Sequence, residues 1–194
     1  MSDPVEVLDF WLGEIGPEGW YAGGDEVDAL CRERCGDLWQ AAHDGGLEHW
    51  VDGTVGTLAY LIITDQIPRN IHRGTALAFA TDPLARSAAS KALVMGWDMN
   101  SPEPERQFFY MPFEHSEDLK DQAQGVELMQ HRLNDPDNLL HARAHQEIIK
   151  QYGRFPTRNA ALGRVSSPEE QAYLDRGGYM AIVNALRGSH ASDA

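Results

Sequence analysis

Three polar segments of the chain carry the side chains best suited to binding an anion or moving a proton. The first is DQIPRNIHRG, which follows directly on the apolar run TLAYLIIT. Arg69 and Arg73 are four residues apart in it, so they share a face if the segment is helical. Guanidinium groups bind carboxylate or phosphate oxygens in pairs. We therefore expect this segment to bind a small anion through Asp65, Gln66, Arg69, Asn70 and Arg73.

The position of this segment after an apolar stretch also predicts where its side chains lie. We expect Asp65 and Gln66 to leave the core as the chain turns. A structural role is the alternative to anion binding. In that interpretation Asp65 or Glu114 forms an ion pair with an arginine and stabilises the corner.

The second segment is FFYMPFEHSED, in which Glu114 and His115 come directly after an aromatic run. Burial beside aromatic rings raises the pKa of a glutamate and lowers that of a histidine, while contact between the two opposes both shifts. Such a pair suits general acid–base catalysis, so Glu114 and His115 are the candidate catalytic residues. Ser116 is expected to cap the next helix, with Glu117 and Asp118 in its first turn.

The third segment is the predicted helix HARAHQEIIKQY, followed by a second arginine-rich turn. At about 100° per residue, His141, His145, Ile148 and Tyr152 lie on one inward-facing stripe. Histidines at i and i+4 can bind one metal ion, but the spacing defines no third ligand and lacks the glutamate of HExxH. We therefore expect two pocket histidines and neither a metal nor another cofactor. The following turn adds three further ligand-binding candidates: Arg154, Arg158 and Asn159.

Almost every segment of the sequence has the apolar spacing or the capping residues of a helix. The chain is predicted to form a compact all-α array of roughly eight or nine antiparallel helices. The first helix should begin at Ser2 or Asp3 and end near Gly13. Later predicted helices span 25–43, 55–66 (with Pro68 ending or bending it), 117–133 and 137–152. Further helices should begin at an Asp82 cap, at 101–105 and at 166–170, the last clear start.

Length, charge and cysteine content limit the class of protein. The 194 residues suit a single helical domain over 1–188, with a flexible polar tail over 189–194. Acidic residues outnumber basic ones 30 to 16, for a net charge of −14, which argues against nucleic-acid and anionic-membrane partners. Cys31 and Cys35, one helical turn apart, are poorly oriented for a disulfide and are expected to face the core or to be half-buried. Without a signal-like or membrane-spanning segment, the expected location is the cytoplasm.

The polar segments also carry a family resemblance. DQIPRNIHRGTALAFATDPLA, FFYMPFEHSEDLKDQ and HQEIIKQYGRFPTRNAALGR resemble the signature blocks of the bacterial domain of unknown function 924 family, and VLDFWLGEIGPEGWY resembles its N-terminus. The resemblance implies an all-α, tetratricopeptide-like domain without an established activity. Family members often have Phe at the positions of Ile67 and His72, which changes the apolar lining. The positions that fit the family pattern are Asp65, Gln66, Arg69, Asn70, Arg73, Gly74, Glu114, His115, Asp118, Arg154, Phe155, Arg158, Asn159 and Gly163.

The leading hypothesis is a polar pocket that binds a small carboxylate or phosphate through Arg69, Arg73 and Arg158. Glu114 and His115 would then serve a hydrolytic or lyase-type step as acid and base. One alternative is a non-catalytic helical module that captures a peptide or a protein partner. Another is a metalloenzyme that uses His141, His145 and a carboxylate such as Glu114.

Overall fold

The computed structural model describes residues 3–192, with side chains from 3 to 188, as two compact units. The N-terminal unit comprises Met1–Pro112 and the C-terminal unit comprises Phe113–Ala194. Within the described range the secondary structure is helical, with no β-strand, which confirms the all-α prediction. The single domain over 1–188 stays a prediction.

The first helical run continues past its predicted end. Helix α1 (Pro4–Leu8) begins at the predicted Asp3 cap, passes into a π-helical segment (Asp9–Ile15) and continues as α2 (Gly16–Trp20). The predicted end near Gly13 is therefore wrong. Gly16 adopts a positive φ of 63°, and a proline in the first turn of α2 starts the helix again. The other proposed cap, Ser2, lies outside the described residues.

Helix α3 spans Asp25–His43, as predicted. Cys31 and Cys35 lie on its inner face with no exposed surface, which confirms their assignment to the core. Burial is the largest cause that raises the pKa of both thiols, to about 11 for Cys31 and about 12 for Cys35. Both thiols are free.

The predicted helix over 55–66 does not end at Pro68. Helix α4 (Thr54–Leu61) passes through a second π segment (Ile62–Gln66) into α5 (Ile67–Ile71), with the proline in the first turn of α5. A proline has no N–H to donate to the carbonyl four residues earlier, which here belongs to Thr64. The hydroxyl of Thr81 donates to that carbonyl instead, at 2.6 Å. The run therefore crosses the proline with this buried carbonyl satisfied.

The rest of the N-terminal unit differs from prediction at two helix starts. Helix α6 (Asp82–Met95) has Thr81 rather than Asp82 at its N-cap, because the Asp82 carboxylate pairs with Arg69. No long helix opens at Ser101. The chain there forms a short 3₁₀ helix (Glu105–Phe109) and the single-turn α7 (Met111–Glu114).

The C-terminal unit is built on α8 (Leu119–Arg132) and α9 (Pro136–Tyr152), which pack against each other across a short connection. Asp118, not Ser116, caps α8, because its carboxylate accepts from two N–H groups of the first turn. Helix α10 (Pro168–Asp175) begins at the predicted serine cap.

Sequence analysis missed the last helix, α11 (Gly178–Ser192), which packs on α9. Its backbone covers part of the predicted flexible tail over 189–194. The side chains of that stretch, and residues 193–194, lie outside the described residues, so the flexibility stays a prediction. Among the described helices, none is long and apolar enough to span a membrane.

Candidate functional site

A carboxylate–imidazole pair lies at the centre of the C-terminal unit's polar residues. Nδ1 of His145 on α9 lies 3.4 Å from Oε2 of Glu114. The Glu114 side chain is 4% exposed, whereas that of His145 is 20% exposed. When Nδ1 carries the proton it donates to the carboxylate, and Nε2 becomes the nitrogen that can accept or release a proton. The pair therefore has the geometry of an oriented general base.

Helix α8 holds the Glu114 corner in place. Nε2 of Gln122 donates to the carbonyl of Glu114 at 2.5 Å and to that of Ser116 at 2.7 Å. Gly125, one turn further along, leaves room for the corner: a Cβ there would lie 3.2 Å from Cγ of Glu114 and 3.3 Å from its backbone nitrogen. The sequence suggested a capping role for Ser116. Its hydroxyl instead accepts from the N–H of Asp118 and donates to Asp121.

Tyr179 on α11 joins the two histidines of α9. Its hydroxyl lies 2.5 Å from Nδ1 of His141, and its ring stacks on His145 with centroids 4.9 Å apart and planes at 25°. Sequence reasoning missed this tyrosine, which lies 38 residues from His141 in no motif.

A second imidazole and a phenylalanine contact His145, and an arginine lies over the phenylalanine. The His115 and His145 rings are edge to face with centroids 5.9 Å apart, and His145 also meets the edge of Phe155 at 5.5 Å. Arg158 lies 4.5 Å above the centroid of Phe155 and donates to the carbonyl of His115 at 2.9 Å. His115, His145 and Arg158, all partly exposed, thus gather around a buried phenylalanine.

The other predicted polar residues of this region bind carboxylates of the same unit. Arg154 forms a bidentate ion pair with Glu170, with Nε 2.6 Å from Oε1 and Nη2 2.8 Å from Oε2. Asn159 donates to the same carboxylate at 3.2 Å and accepts from Arg164 at 2.9 Å. Hydrogen bonds from Arg154 are the largest cause that lowers the pKa of Glu170, to about 2. These contacts connect the 153–166 segment to α10.

A groove of about 410 Å³ lies beside Arg154, at the end of α9 and the start of α10. It is lined by Gln151, Tyr152, Arg154, Ser167, Glu169 and Glu170. Of the predicted ligand-binding residues, only Arg154 contributes to this lining.

The first predicted segment lies in the N-terminal unit and is more buried than expected. Asp65 is 1% exposed and Gln66 5%, so the expectation that they leave the core is wrong. Arg69 lies 3.4 Å from the Asp65 carboxylate and 3.1 Å from that of Asp82. Burial lowers the pKa of Arg69, but these two carboxylates outweigh it, so the net shift is upward.

Arg73 and Asn70 belong to a second ion pair of the N-terminal unit. Arg73 binds both carboxylate oxygens of Asp28 at 2.7 Å, and it donates to Oδ1 of Asn70 at 3.1 Å. Asn70 in turn donates to the carbonyl of Gln66 at 3.3 Å. The predicted structural role of this segment, an arginine paired with a carboxylate at a corner, is therefore present, with Asp28 as a partner that the sequence did not suggest.

The metal-site alternative has no geometric support among the described side chains. No group of three His, Cys, Asp or Glu residues there is arranged to hold a metal ion. His141 instead pairs with a phenol and His145 with a carboxylate, so the two histidines have different partners.

Comparison with known proteins agrees with the helical architecture. The structure of the protein of unknown function ATU0120 from Agrobacterium tumefaciens is similar to this chain, with 39% sequence identity and a TM-score of 0.84. The match covers 89% of this chain and 97% of that one. No curated protein matches the sequence. The model of a bacterial protein family of unknown function (DUF924) matches residues 7–178, so the chain belongs to that family.

Proposed function

We propose that the C-terminal unit binds a small carboxylate or phosphate beside His115, His145 and Arg158. In this proposal His145, oriented by Glu114, moves a proton in a hydrolytic or lyase-type step. The observation that carries it is the 3.4 Å contact between a buried carboxylate and a partly exposed imidazole. It extends the sequence hypothesis by adding His145, whose imidazole contacts Glu114.

The charges around His145 favour an anion. Arg158 lies over the Phe155 ring and donates a hydrogen bond to the carbonyl of His115. Guanidinium and imidazolium groups bind carboxylate and phosphate oxygens strongly when partly desolvated. Arg69, Arg73 and Arg154 all bind internal carboxylates. These three arginines therefore have structural roles, and Arg158 enters the proposal through its contacts with Phe155 and with the carbonyl of His115.

Calorimetric titration with inorganic phosphate and with succinate tests the binding step. His145→Gln and Arg158→Gln should each weaken the tighter of the two ligands by about tenfold, a change of about 1.4 kcal/mol. His43→Gln is a matched control, because His43 also pairs with a carboxylate, Asp44 at 3.1 Å, but on an exposed surface. Arg187→Gln controls for the loss of an exposed arginine from the same unit.

Hydrolysis of p-nitrophenyl phosphate and p-nitrophenyl acetate tests the proton-transfer step. Glu114→Gln should lower any turnover more than it lowers binding, since the amide no longer stabilises a protonated imidazole. The proposal is overturned if His145→Gln and Arg158→Gln both bind phosphate and succinate like the wild type and have a wild-type circular dichroism spectrum. The peptide-binding module would then be the remaining prediction, to be examined with peptide ligands.

A further inference from the structure

We infer that Tyr179 and His141 are positioning residues of this site, which hold the His145 ring in the orientation that presents Nδ1 to Glu114. The inference rests on the proposed function, since it concerns the imidazole that would move the proton. It assigns a role to Tyr179, which no motif in the sequence suggested. It also distinguishes the two histidines of α9, because His141 binds the phenol whereas His145 moves the proton.

In the hydrogen bond between Tyr179 and His141, the phenol is the donor and the imidazole is the acceptor. The oxygen and Nδ1 are 2.5 Å apart. Burial is the largest cause that lowers the pKa of His141; Arg187 also lowers it, while Asp137 and Asp135 oppose the shift. A histidine with a lowered pKa is neutral at pH 7. Its Nδ1 then accepts a hydrogen bond from the phenol O–H, and the proton of His141 resides on Nε2.

A carboxylate and several aromatic rings contact the His145 imidazole. The face of Tyr179 covers one side of its ring at 4.9 Å, Phe155 meets it at 84°, and Glu114 accepts from its Nδ1. His115 is the other titratable ring against it, at 5.9 Å. A tilt of the imidazole plane would move Nδ1 away from the Glu114 carboxylate. The stacked and edge contacts oppose that tilt by fixing the plane of the ring.

Tyr179 links the hydrogen bond with His141 to the position of the His145 ring. Tyr179 is anchored at one end by apolar contacts with core clusters on α9 and α11, and at the other by the hydroxyl bond to His141. Because His141 and His145 are one turn apart on α9, the bond to the first aligns the phenol ring over the second. Removing the hydroxyl leaves the ring packed but no longer fixed at its far end. The His145 ring should then tilt more freely, which weakens the contact of its Nδ1 with Glu114 and the preference for the Nδ1–H tautomer.

Long-range ¹H–¹⁵N NMR of the histidine side chains tests this positioning. In the wild type at high pH we expect His145 in the Nδ1–H tautomer and His141 in the Nε2–H tautomer. Tyr179→Phe and His141→Leu should each give a mixed tautomer signal for His145 and weaken phosphate binding by about fivefold. His141→Gln keeps an acceptor for the phenol, so it should preserve both properties within about twofold.

The outcomes separate the inference from the function on which it rests. A wild-type His145 tautomer and wild-type phosphate affinity in both Tyr179→Phe and His141→Leu overturn the positioning role, even if His145→Gln abolishes binding. Unchanged phosphate and succinate binding in His145→Gln and Arg158→Gln overturns the proposed function itself. If Tyr179→Phe fails to fold, the comparison of His141→Gln with His141→Leu still decides, because both keep the phenol ring.

Discussion

The hydroxyl of Thr81 donates a 2.6 Å hydrogen bond to the carbonyl of Thr64, the carbonyl that Pro68 leaves without its helical donor. The same hydroxyl accepts from the indole N–H of Trp39 at 3.3 Å. One buried threonine thus connects α3, the π segment and the start of α6, and allows a helical run to pass through a proline.

Thr81→Val should therefore destabilise the protein by about 1–3 kcal/mol, because it removes the hydroxyl that donates to the buried Thr64 carbonyl. Thr57→Val is the matched control. Thr57 is equally buried, and its hydroxyl has no hydrogen-bond partner among the described residues, so the change should be nearly neutral. Urea unfolding of both variants measures the difference. Equal effects of the two substitutions would contradict the role given to Thr81.

His72 should make the stability of the protein sensitive to mild acid. Its ring lies 4.1 Å from Trp39, and burial, followed by Arg32 and His43, lowers its pKa. The unfolded chain then binds a proton more readily, so stability present above about pH 6.5 is lost as pH falls through that value toward the folded-state pKa.

Phe in place of His72 tests this sensitivity, since it keeps an aromatic ring against Trp39 without a titratable group. The urea midpoint of the wild type should fall more between pH 8 and pH 5 than that of His72→Phe, with indole fluorescence as the probe. Parallel pH profiles for the two proteins would show that His72 does not contribute.

Glu170 should govern stability at more acidic pH. Its pKa is about 2, against an ordinary value of 4.5, mainly through hydrogen bonds from Arg154. A lowered carboxyl pKa contributes stability above about pH 4.5 that is lost as pH falls toward 2. Glu170→Gln should thus be less stable than the wild type at pH 6, with the gap closing toward pH 2.

A control for the lost negative charge is Glu147→Gln, at an exposed position of the same unit. Chemical denaturation at half-unit pH intervals gives both profiles. If the gap between Glu170→Gln and the wild type does not depend on pH, the ion pair with Arg154 is not the source of the shift.

Gly125→Ala should displace Glu114 with little loss of stability. The new Cβ would lie 3.2 Å from Cγ of Glu114, so the glutamate must move by a few tenths of an ångström. Alanine favours a helix over glycine by about 0.5–1 kcal/mol, which offsets part of the strain. We expect a phosphate affinity about fivefold weaker and a nearly unchanged urea midpoint.

Gly36→Ala on α3 is the control for that substitution, because nothing lies within 4 Å of its Cβ position. It should stabilise the protein by about 0.5–1 kcal/mol and leave phosphate binding unchanged. A Gly125→Ala variant that binds phosphate like the wild type would show that the close approach of α8 does not position the carboxylate.

The two cysteines should be unreactive in the folded protein. Their burial and raised pKa values leave almost no thiolate at pH 8. Ellman's reagent should therefore label neither thiol at a rate above that of global unfolding, and both at once in guanidinium chloride. Rapid labelling of one thiol under native conditions would contradict the burial of that side chain.

Local patterns predicted the helices that end at clear signals. Asp25–His43 was predicted at both ends, and α10 begins at the predicted serine cap. The run 4–20 was predicted too short, because Gly16 and the following proline look like a break but restart the helix. The π segment at 62–66 has no sequence signature, since its register depends on tertiary contacts such as the one from Thr81.

Only part of the site was predicted, because the remaining contacts join residues that are far apart along the chain. Residue type and spacing identified Glu114 and His145 as chemically capable but paired Glu114 with its neighbour His115. The structure also brings His145, 31 residues further along the chain, into contact with Glu114. Likewise, two arginines that were predicted to bind an anion form ion pairs with distant carboxylates of the chain. Arg73 pairs with Asp28, 45 residues away, and Arg154 pairs with Glu170, 16 residues away. Spacing along a helix cannot show such partners.

The π segment Ile62–Gln66 also constrains which changes in chain length this region tolerates. A π turn holds one residue more than an α turn, so deleting one residue from 62–66 would restore a continuous α-helix. The side chains from Ile67 onward would then keep their directions, because the wider turn had accommodated the extra residue. A one-residue deletion within α4 would instead rotate them by about 100° about the axis and break the ion pair between Arg69 and Asp82.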